Sequence, residues 1–156
     1  MIDCETVASG EDRLELRTWL RLLACYNLIE KEIRTRLRDH AGITLPQFDL
    51  LAALDRAEGG TLVMGELSKR LMVTNGNVTA LVDRLVRDGL LERHVSPTDR
   101  RALVVRMTPR GREVFEAVAP NHAEWLQDLM GDMCRDRVEA LYNHLADLKA
   151  SVCAVQ

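Results

Sequence analysis

From Met64 to Met107 the hydrophobic period of the sequence changes from helical to alternating, and the order of these segments leaves few folds open. Met64, Leu67 and Leu71 share one face of a two-turn helix. Met72-Val73 make a turn, and the Thr74 hydroxyl can cap a second helix running from about Thr74 to Asp88. In that helix Val78, Leu81, Val82, Leu85 and Val86 recur at i, i+3, i+4, i+7 and i+8. Asn75, Gly76, Asn77, Thr79, Ala80, Asp83, Arg84 and Arg87 are left outside. Gly89 supplies a left-handed cap, and the period then drops to two. Leu91, Arg93 and Val95 alternate with Leu90, Glu92 and His94, and Leu103, Val105 and Met107 alternate with Ala102, Val104 and Arg106. Two strands joined by Ser96-Pro97-Thr98-Asp99-Arg100-Arg101 form a wing beside a helix pair, and the exposed first turns of the second helix suit entry into a DNA groove. Taken without the preceding helix pair, the same loop reads better as a solvated turn with ordinary surface arginines.

Two local alternatives fail. Asn75-Gly76 as a hairpin turn conflicts with the helical period that follows, and Asn77-Val78-Thr79 as a glycosylation acceptor needs a secretion signal. The N-terminal MIDCETVASG has neither a basic start nor an apolar run, and no stretch is long and apolar enough to span a membrane, so a cytoplasmic protein is expected.

Charge supports the groove-binding reading once it is resolved along the chain. The net charge of −3 argues against nucleic acid, but residues 61–110 carry nine Lys/Arg against five acids, giving +4 there and −7 elsewhere.

The flanks read as helices with sticky faces. No Pro or Gly interrupts Glu11 to about His40, where Trp19, Leu22, Tyr26, Ile29, Ile33 and Leu37 form one stripe and Leu16, Leu20 and Leu23 a second face. That face fits burial within one monomer as well as burial against another chain. After Gly42, Thr44-Leu45-Pro46-Gln47 has the form of a capping box, opening a helix that carries Phe48, Leu51 and Leu54 inward and ends at Gly59-Gly60. Thr61-Leu62-Val63 is a short possible strand. Thr108-Pro109 starts another helix as N-cap and N1, with Val114, Phe115, Val118, His122, Trp125, Leu126 and Leu129 inward and Pro120 expected to kink it. A final helix to about Val152 places Cys134, Val138, Leu141, Leu145, Leu148 and Val152 on a 3.5-residue seam suited to helix pairing.

Several chemistries find no support. Cys4, Cys25, Cys134 and Cys153 are far apart and show no zinc-like spacing with His, so free thiols and no metal are expected. No P-loop, G-x-G-x-x-G, G-x-S-x-G or H-E-x-x-H occurs, so no catalytic residue, enzyme activity or cofactor is expected.

At this point the chain resembles the MarR family of winged helix-turn-helix transcriptional regulators over nearly its whole length. The resemblance is carried by Leu45-Pro46-Gln47-Phe48-Asp49-Leu50-Leu51, Gly65-Glu66-Leu67-Ser68-Lys69-Arg70-Leu71, Asn77-Val78-Thr79-Ala80-Leu81-Val82-Asp83-Arg84-Leu85, Asp88-Gly89-Leu90-Leu91-Glu92-Arg93, Asp99-Arg100-Arg101-Ala102 and Val105-Arg106-Met107-Thr108-Pro109-Arg110-Gly111. The one departure is Met107 where the family usually has Leu. The resemblance implies a mainly α fold with a small β-hairpin wing. It also implies one MarR-type domain over residues 1–156, with dimerisation helices at 11–40 and 112–156 and a winged helix-turn-helix at 44–110. The expected state is an obligate homodimer on a pseudo-palindromic, double-stranded DNA operator, with recognition helices in major grooves and wings in minor grooves.

On that footing Asn75, Asn77, Thr79 and Arg84 are the expected base readers, because Asn matches adenine and Arg matches guanine, and Thr74 caps their helix. Asn77 as a local helix-end hydrogen bonder fits equally, and Arg84 can pair with Asp88 one turn on at about 0.3 kcal/mol. Arg101 matches the family's minor-groove arginine, with Asp99 expected to orient its guanidinium, Arg100 as a phosphate contact, and Ser68 and Lys69 as further phosphate contacts.

The family further implies a repressor released by a small aromatic or anionic effector bound in a crevice between the dimer helices and the winged domain. Candidates are Trp19, Tyr26, Phe48, Asp49, Arg93 and His122, of which Asp49 and Arg93 match positions of the urate-responsive branch, whose extra N-terminal helix and Trp this chain lacks. An aromatic acid or its CoA thioester is the alternative effector, its phosphates meeting Lys31, Arg34, Arg36 and Arg38. A thiol-based redox sensor using Cys25 is the competing mode of regulation. Cys25 lies later than the family's peroxide-sensing position and is expected to be buried and structural.

Overall fold

The structure, a computed structural model, describes residues 13–71 and 75–155, excluding the Asn75 side chain. The Met72-Val73 turn, the Thr74 cap and the side chain of Asn75 therefore lie outside the described residues, as does Cys4. The elements run α1 (Leu14–Ala41), α2 (Leu45–Asp55), a 3-10 turn (Glu58–Gly60), β1 (Thr61–Val63), α3 (Met64–Leu71), α4 (Asn75–Arg87), β2 (Leu91–Val95), β3 (Leu103–Met107), α5 (Pro109–Leu129) and α6 (Arg135–Cys153). The chain is thus mainly helical with one small antiparallel sheet, as expected. It divides into two compact units at Pro120, inside α5.

In the first unit, α1 ends where Gly42 adopts φ +65° and its amide donates to the Arg38 carbonyl. The capping box forms in full: Thr44 Oγ1 accepts from the Gln47 amide, and Gln47 Oε1 accepts from the Thr44 amide at 2.8 Å. The second helix stops at Asp55, earlier than its expected end at Gly59-Gly60. Ala57 is extended and both glycines take positive φ, so the chain makes a 3-10 turn and enters β1 instead.

The short stretch Thr61–Val63 is a true strand. It lies antiparallel beside β3 with Leu62 opposite Val105, while β2 flanks β3 on its other side, in the order β1-β3-β2. The core gathers where helices meet this sheet: Leu37 of α1, Leu50, Leu51 and Leu54 of α2, Leu67 of α3, Val78, Val82 and Leu85 of α4, and Val105 of β3 are fully enclosed. Each such side chain contributes about 1.5–3 kcal/mol of hydrophobic stabilisation. Phe48 and Phe115 stack within it, ring centroids 5.6 Å apart.

A compact corner joins the recognition region to α5. Gly89 takes φ +74°, Thr108 Oγ1 donates to the Gly89 carbonyl at 2.7 Å, and the Thr108 amide donates to the Leu90 carbonyl at 3.0 Å. The same hydroxyl accepts from the Gly111 amide and so caps α5. Gly111 is required there, since a Cβ would press into the Leu90 carbonyl.

Only the C-terminal half of α1 is buried, through Ile33 and Leu37; Leu14, Trp19, Tyr26 and Leu28 are more than half exposed. Cys25 is likewise exposed, which corrects the expectation of a buried structural thiol: the covering for this part of the helix is not supplied by its own chain. In the second unit, residues 121–155, α6 shows the same feature, with Leu141, Leu145, Leu148 and Val152 between 39% and 52% exposed. Among the described residues no helix is long and apolar enough to cross a membrane.

Candidate DNA-binding surface and adjoining cavity

The amphipathic period of α4 decides what it offers to a partner. Val78, Val82 and Leu85 anchor one face in the core, which turns Asn77, Thr79, Ala80, Asp83, Arg84 and Arg87 to the exposed side. Arg84 makes no ion pair with Asp88; its guanidinium has no partner among the described residues. On α3, Lys69 is exposed, whereas the half-buried Ser68 hydroxyl lies 3.4 Å from the Met64 carbonyl of its own helix.

The wing is shaped by a residue that sequence reasoning passed over. Ser96 is buried at the base of the loop, and its Oγ accepts from the amides of Thr98 and Asp99, both at 3.3 Å, and lies 3.0 Å from the Thr98 hydroxyl. Ser96 and Ala102 close the strands by a backbone bond of 2.9 Å. Serine one residue before proline at a strand end was the available signal. The expected partnership of Asp99 with the Arg101 guanidinium is replaced by a local one. The Asp99 carboxylate accepts from the Arg101 backbone amide at 2.9 Å, an Asx turn that leaves both the Arg100 and Arg101 side chains exposed at the tip. Below the tip, Glu92 and Arg106 face each other across the strands and form an ion pair, and this hydrogen bond holds the Glu92 carboxyl below its ordinary range.

Between α1, α2 and α4 lies a cavity of about 570 Å³. Tyr26, Glu30 and Arg34 line it from α1, Asp49 from α2, and Asn77 and Arg84 from α4. It brings together three of the expected effector residues, Tyr26, Arg34 and Asp49, with two of the expected base readers. Arg34 is held by Glu30 at 2.8 Å, and the Tyr26 hydroxyl lies 3.4 Å from the same carboxylate oxygen. Asp49 is shielded there, which pushes its carboxyl up, and the nearby Glu30 adds to the shift while Arg56 opposes it. Burial also raises the Tyr26 phenol, followed by the effect of Glu30.

The other expected effector residues are elsewhere. Phe48 is a core residue against Phe115, Arg93 is committed to an ion pair with Asp83, and Arg38 sits beside Asp39 at 3.6 Å. Trp19 is exposed on α1, and His122 belongs to the second unit, where burial lowers its imidazole pKa. Arg36 pairs with Glu32 at 2.8 Å. A second cavity of about 500 Å³ adjoins Asp49 and Leu71 and is lined also by Arg56 and Arg70. Among the described residues no cluster of three or more His, Cys, Asp or Glu is placed to hold a metal ion.

Comparison with known proteins converges on one family. Residues 41–102 match the model of the MarR family. The transcriptional activatory protein BadR of Rhodopseudomonas palustris is 32% identical over 143 residues, covering 90% of this chain and 81% of that protein. Among solved structures, a mutant MarR from E. coli complexed with operator DNA superposes with a TM-score of 0.79 at 24% identity, covering 90% of this chain and 99% of that one. BpsR of Bordetella bronchiseptica, solved for the mechanism by which 6-hydroxynicotinic acid regulates its DNA binding, superposes with a TM-score of 0.75 at 24% identity, covering 85% and 98%.

Proposed function

The chain belongs to the MarR family of DNA-binding transcriptional regulators, and on that premise we propose that it acts as a homodimer on a two-fold operator, reading bases through α4 and phosphates and minor groove through the wing. Its relatives are regulators, not enzymes. The observation that carries the reading is the outward side of α4: a helix pinned by three fully buried apolar residues leaves Asn77, Thr79 and Arg84 exposed, and the wing leaves its two arginines exposed as well. From the sequence, Thr74 and Asn75 are further candidate contacts, and Ser68, Lys69 and Arg100 are proposed to supply phosphate contacts while Asp99 holds the tip that presents Arg101.

Dimerisation is assigned to 11–40 and 112–156 and DNA binding to 44–110. The support is the series of large apolar side chains left exposed on α1 (Leu14, Leu16, Trp19, Leu23, Tyr26) and on α6 (Leu141, Leu145, Leu148, Val152), a kind of surface that marks interaction sites. A second copy is the occupant that a two-fold operator reader needs.

The cavity beside α4 is proposed to take a small anionic effector, an aromatic acid being of suitable size, whose binding releases the operator. By linkage the effector must bind the DNA-free form better than the bound form. The 6-hydroxynicotinic acid response of BpsR supports an effector of this class. Release acts as induction when the operator overlaps a promoter, which is the repressor reading. BadR is named an activatory protein, so the sign of control follows operator position rather than this fold. A thiol switch at Cys25 is the competing reading; the sulfur is exposed on the single chain, within the helix proposed to pair with a second copy. Loss of operator binding in peroxide, abolished by Cys25→Ser, would establish it.

The test is a gel shift on DNA upstream of the chain's own gene. Arg101→Ala should weaken binding by roughly ten- to a hundredfold while leaving the oligomeric state unchanged, and it should lower the salt slope. Normal binding by that variant at physiological salt overturns the wing assignment.

A further inference from the structure

We infer that the ion pair between Asp83 and Arg93 is a brace that sets the angle between the recognition helix and the wing, which makes these two positioning residues for operator reading. This rests on the assignment of α4 and the wing to DNA made above and adds what holds them at one geometry. Helix and hairpin share a vertex: Gly89 closes α4, the Leu90 amide donates to the Leu85 carbonyl at 2.9 Å, and β2 starts at Leu91. Asp83 lies six residues before Gly89, about 9 Å along the helix, and Arg93 three residues after Leu90, about 10 Å along the strand. The pair therefore closes a triangle whose third corner is the vertex.

Apolar packing fades where the strut stands. Along the side of β2 that carries Arg93, Leu91 is buried, Arg93 is intermediate and Val95 is 57% exposed, and Leu103 opposite Val95 is 43% exposed. The core thus stops short of the outer hairpin. Arg93 Nε and Nη2 are nonetheless buried and make no hydrogen bond, so the Asp83 carboxylate facing Nη2 is what offsets their desolvation. The tip arginines lie beyond Ser96, itself six residues and about 20 Å from Leu90, twice the distance of the strut. Slack of about 1 Å at the strut becomes about 2 Å at the tip, more than a hydrogen bond tolerates. Electrostatics alone gives the opposite sign for Asp83. A carboxylate exposed on the reading helix repels phosphate, so its removal would tighten binding to any duplex, whereas the brace predicts that removal loosens the operator.

The experiment titrates the full chain by fluorescence anisotropy against labelled upstream DNA and against a scrambled duplex of the same length and composition, at one ionic strength. Sequence-independent charge effects cancel in the preference for the operator, the Kd for the scrambled duplex divided by that for the operator. Asp83→Asn and Arg93→Gln should each lower this preference roughly tenfold and the double variant no further, while Arg93→Lys, which keeps the ion pair, should hold it within about threefold. Arg101→Ala, expected to weaken operator binding by roughly ten- to a hundredfold in the unaltered chain, should cost about threefold or less in Asp83→Asn, because the wing is already unseated. An unchanged preference in Asp83→Asn, additive losses in the double variant, or the full cost of Arg101→Ala in the Asp83→Asn background overturns the brace and leaves the DNA reading standing. If Arg101→Ala costs nothing in the unaltered chain, both fall. Circular dichroism melts establish that each variant folds, and because a loss of folded protein weakens both duplexes alike, the preference separates positioning from stability.

Discussion

Replacing Gly111 by alanine adds one methyl group at the corner where α4, the wing and α5 meet, and the structure sets the cost. The new Cβ would stand 2.9 Å from the Leu90 carbonyl carbon and closer still to its oxygen, both rigid backbone atoms. That oxygen is also the acceptor for the Thr108 amide, so relief of the clash stretches this bond and the Thr108-to-Gly89 bond beside it. Overpacking of this kind costs about 1–3 kcal/mol, and one weakened hydrogen bond adds about 1 kcal/mol. A total of about 2–4 kcal/mol lowers the melting temperature by roughly 5–15 °C for a chain of this length. Urea denaturation at fixed protein concentration measures it. Gly65→Ala is the control: it meets open space inside α3 and should be neutral or stabilise by about 0.5–1 kcal/mol. If Gly111→Ala loses less than about 1 kcal/mol, the corner is not the rigid joint described.

Thr44→Ala removes half of a complete capping box and should cost about 0.5–2 kcal/mol in urea denaturation, whereas Thr44→Ser should cost little. Asp49 has a folded pKa above its ordinary 3.8, so the folded state holds its proton more tightly than the unfolded one. Its stabilising contribution is complete below that value and is lost as pH rises through the folded pKa. Asp49→Asn should therefore raise the urea midpoint at neutral pH, with the gain fading below about pH 4. For His122 the sign reverses: its pKa lies below 6.5, so stability present above 6.5 is lost as pH falls through the lowered value, and its NMR titration midpoint should lie under 6.5. Truncation after Gly131 deletes α6 and its exposed seam, and light scattering should then report a monomer where the full chain gives a dimer.

The elements with local causes were legible from the residues. α3 followed from Met64, Leu67 and Leu71, the start of α2 from Thr44 and Gln47, the end of α4 from Gly89, and the start of α5 from Thr108-Pro109. What was missed depends on distant partners. Three residues, Thr61–Val63, carry too little pattern to declare a strand, and they become one because β3, about forty residues later, offers an unpaired edge. Phe48 and Phe115 were each expected inward, but not that they stack on one another, and the exposure of Cys25 depends on a covering its own chain does not provide.

The candidate site was legible by residue type more than by arrangement. Asn and Arg on an exposed helix face, and arginines on a six-residue loop, are composition and period. That Asp99 binds the Arg101 backbone and not its guanidinium, and that Ser96 ties the wing together, are matters of loop geometry. The cavity assembles from three helices, so Tyr26, Asp49 and Arg84 gave no sign in the linear sequence of facing one another.

The central claim, a paired reader held to DNA by its arginines, is tested most directly by the stoichiometry and salt dependence of operator binding by the full chain. Anisotropy titrations on the upstream DNA from low to physiological salt, with sedimentation of the complex, supply both. The account predicts two chains per operator and a log Kd that rises linearly and steeply with log salt, about one slope unit for each phosphate contacted. One chain per site, or affinity indifferent to salt, would contradict it.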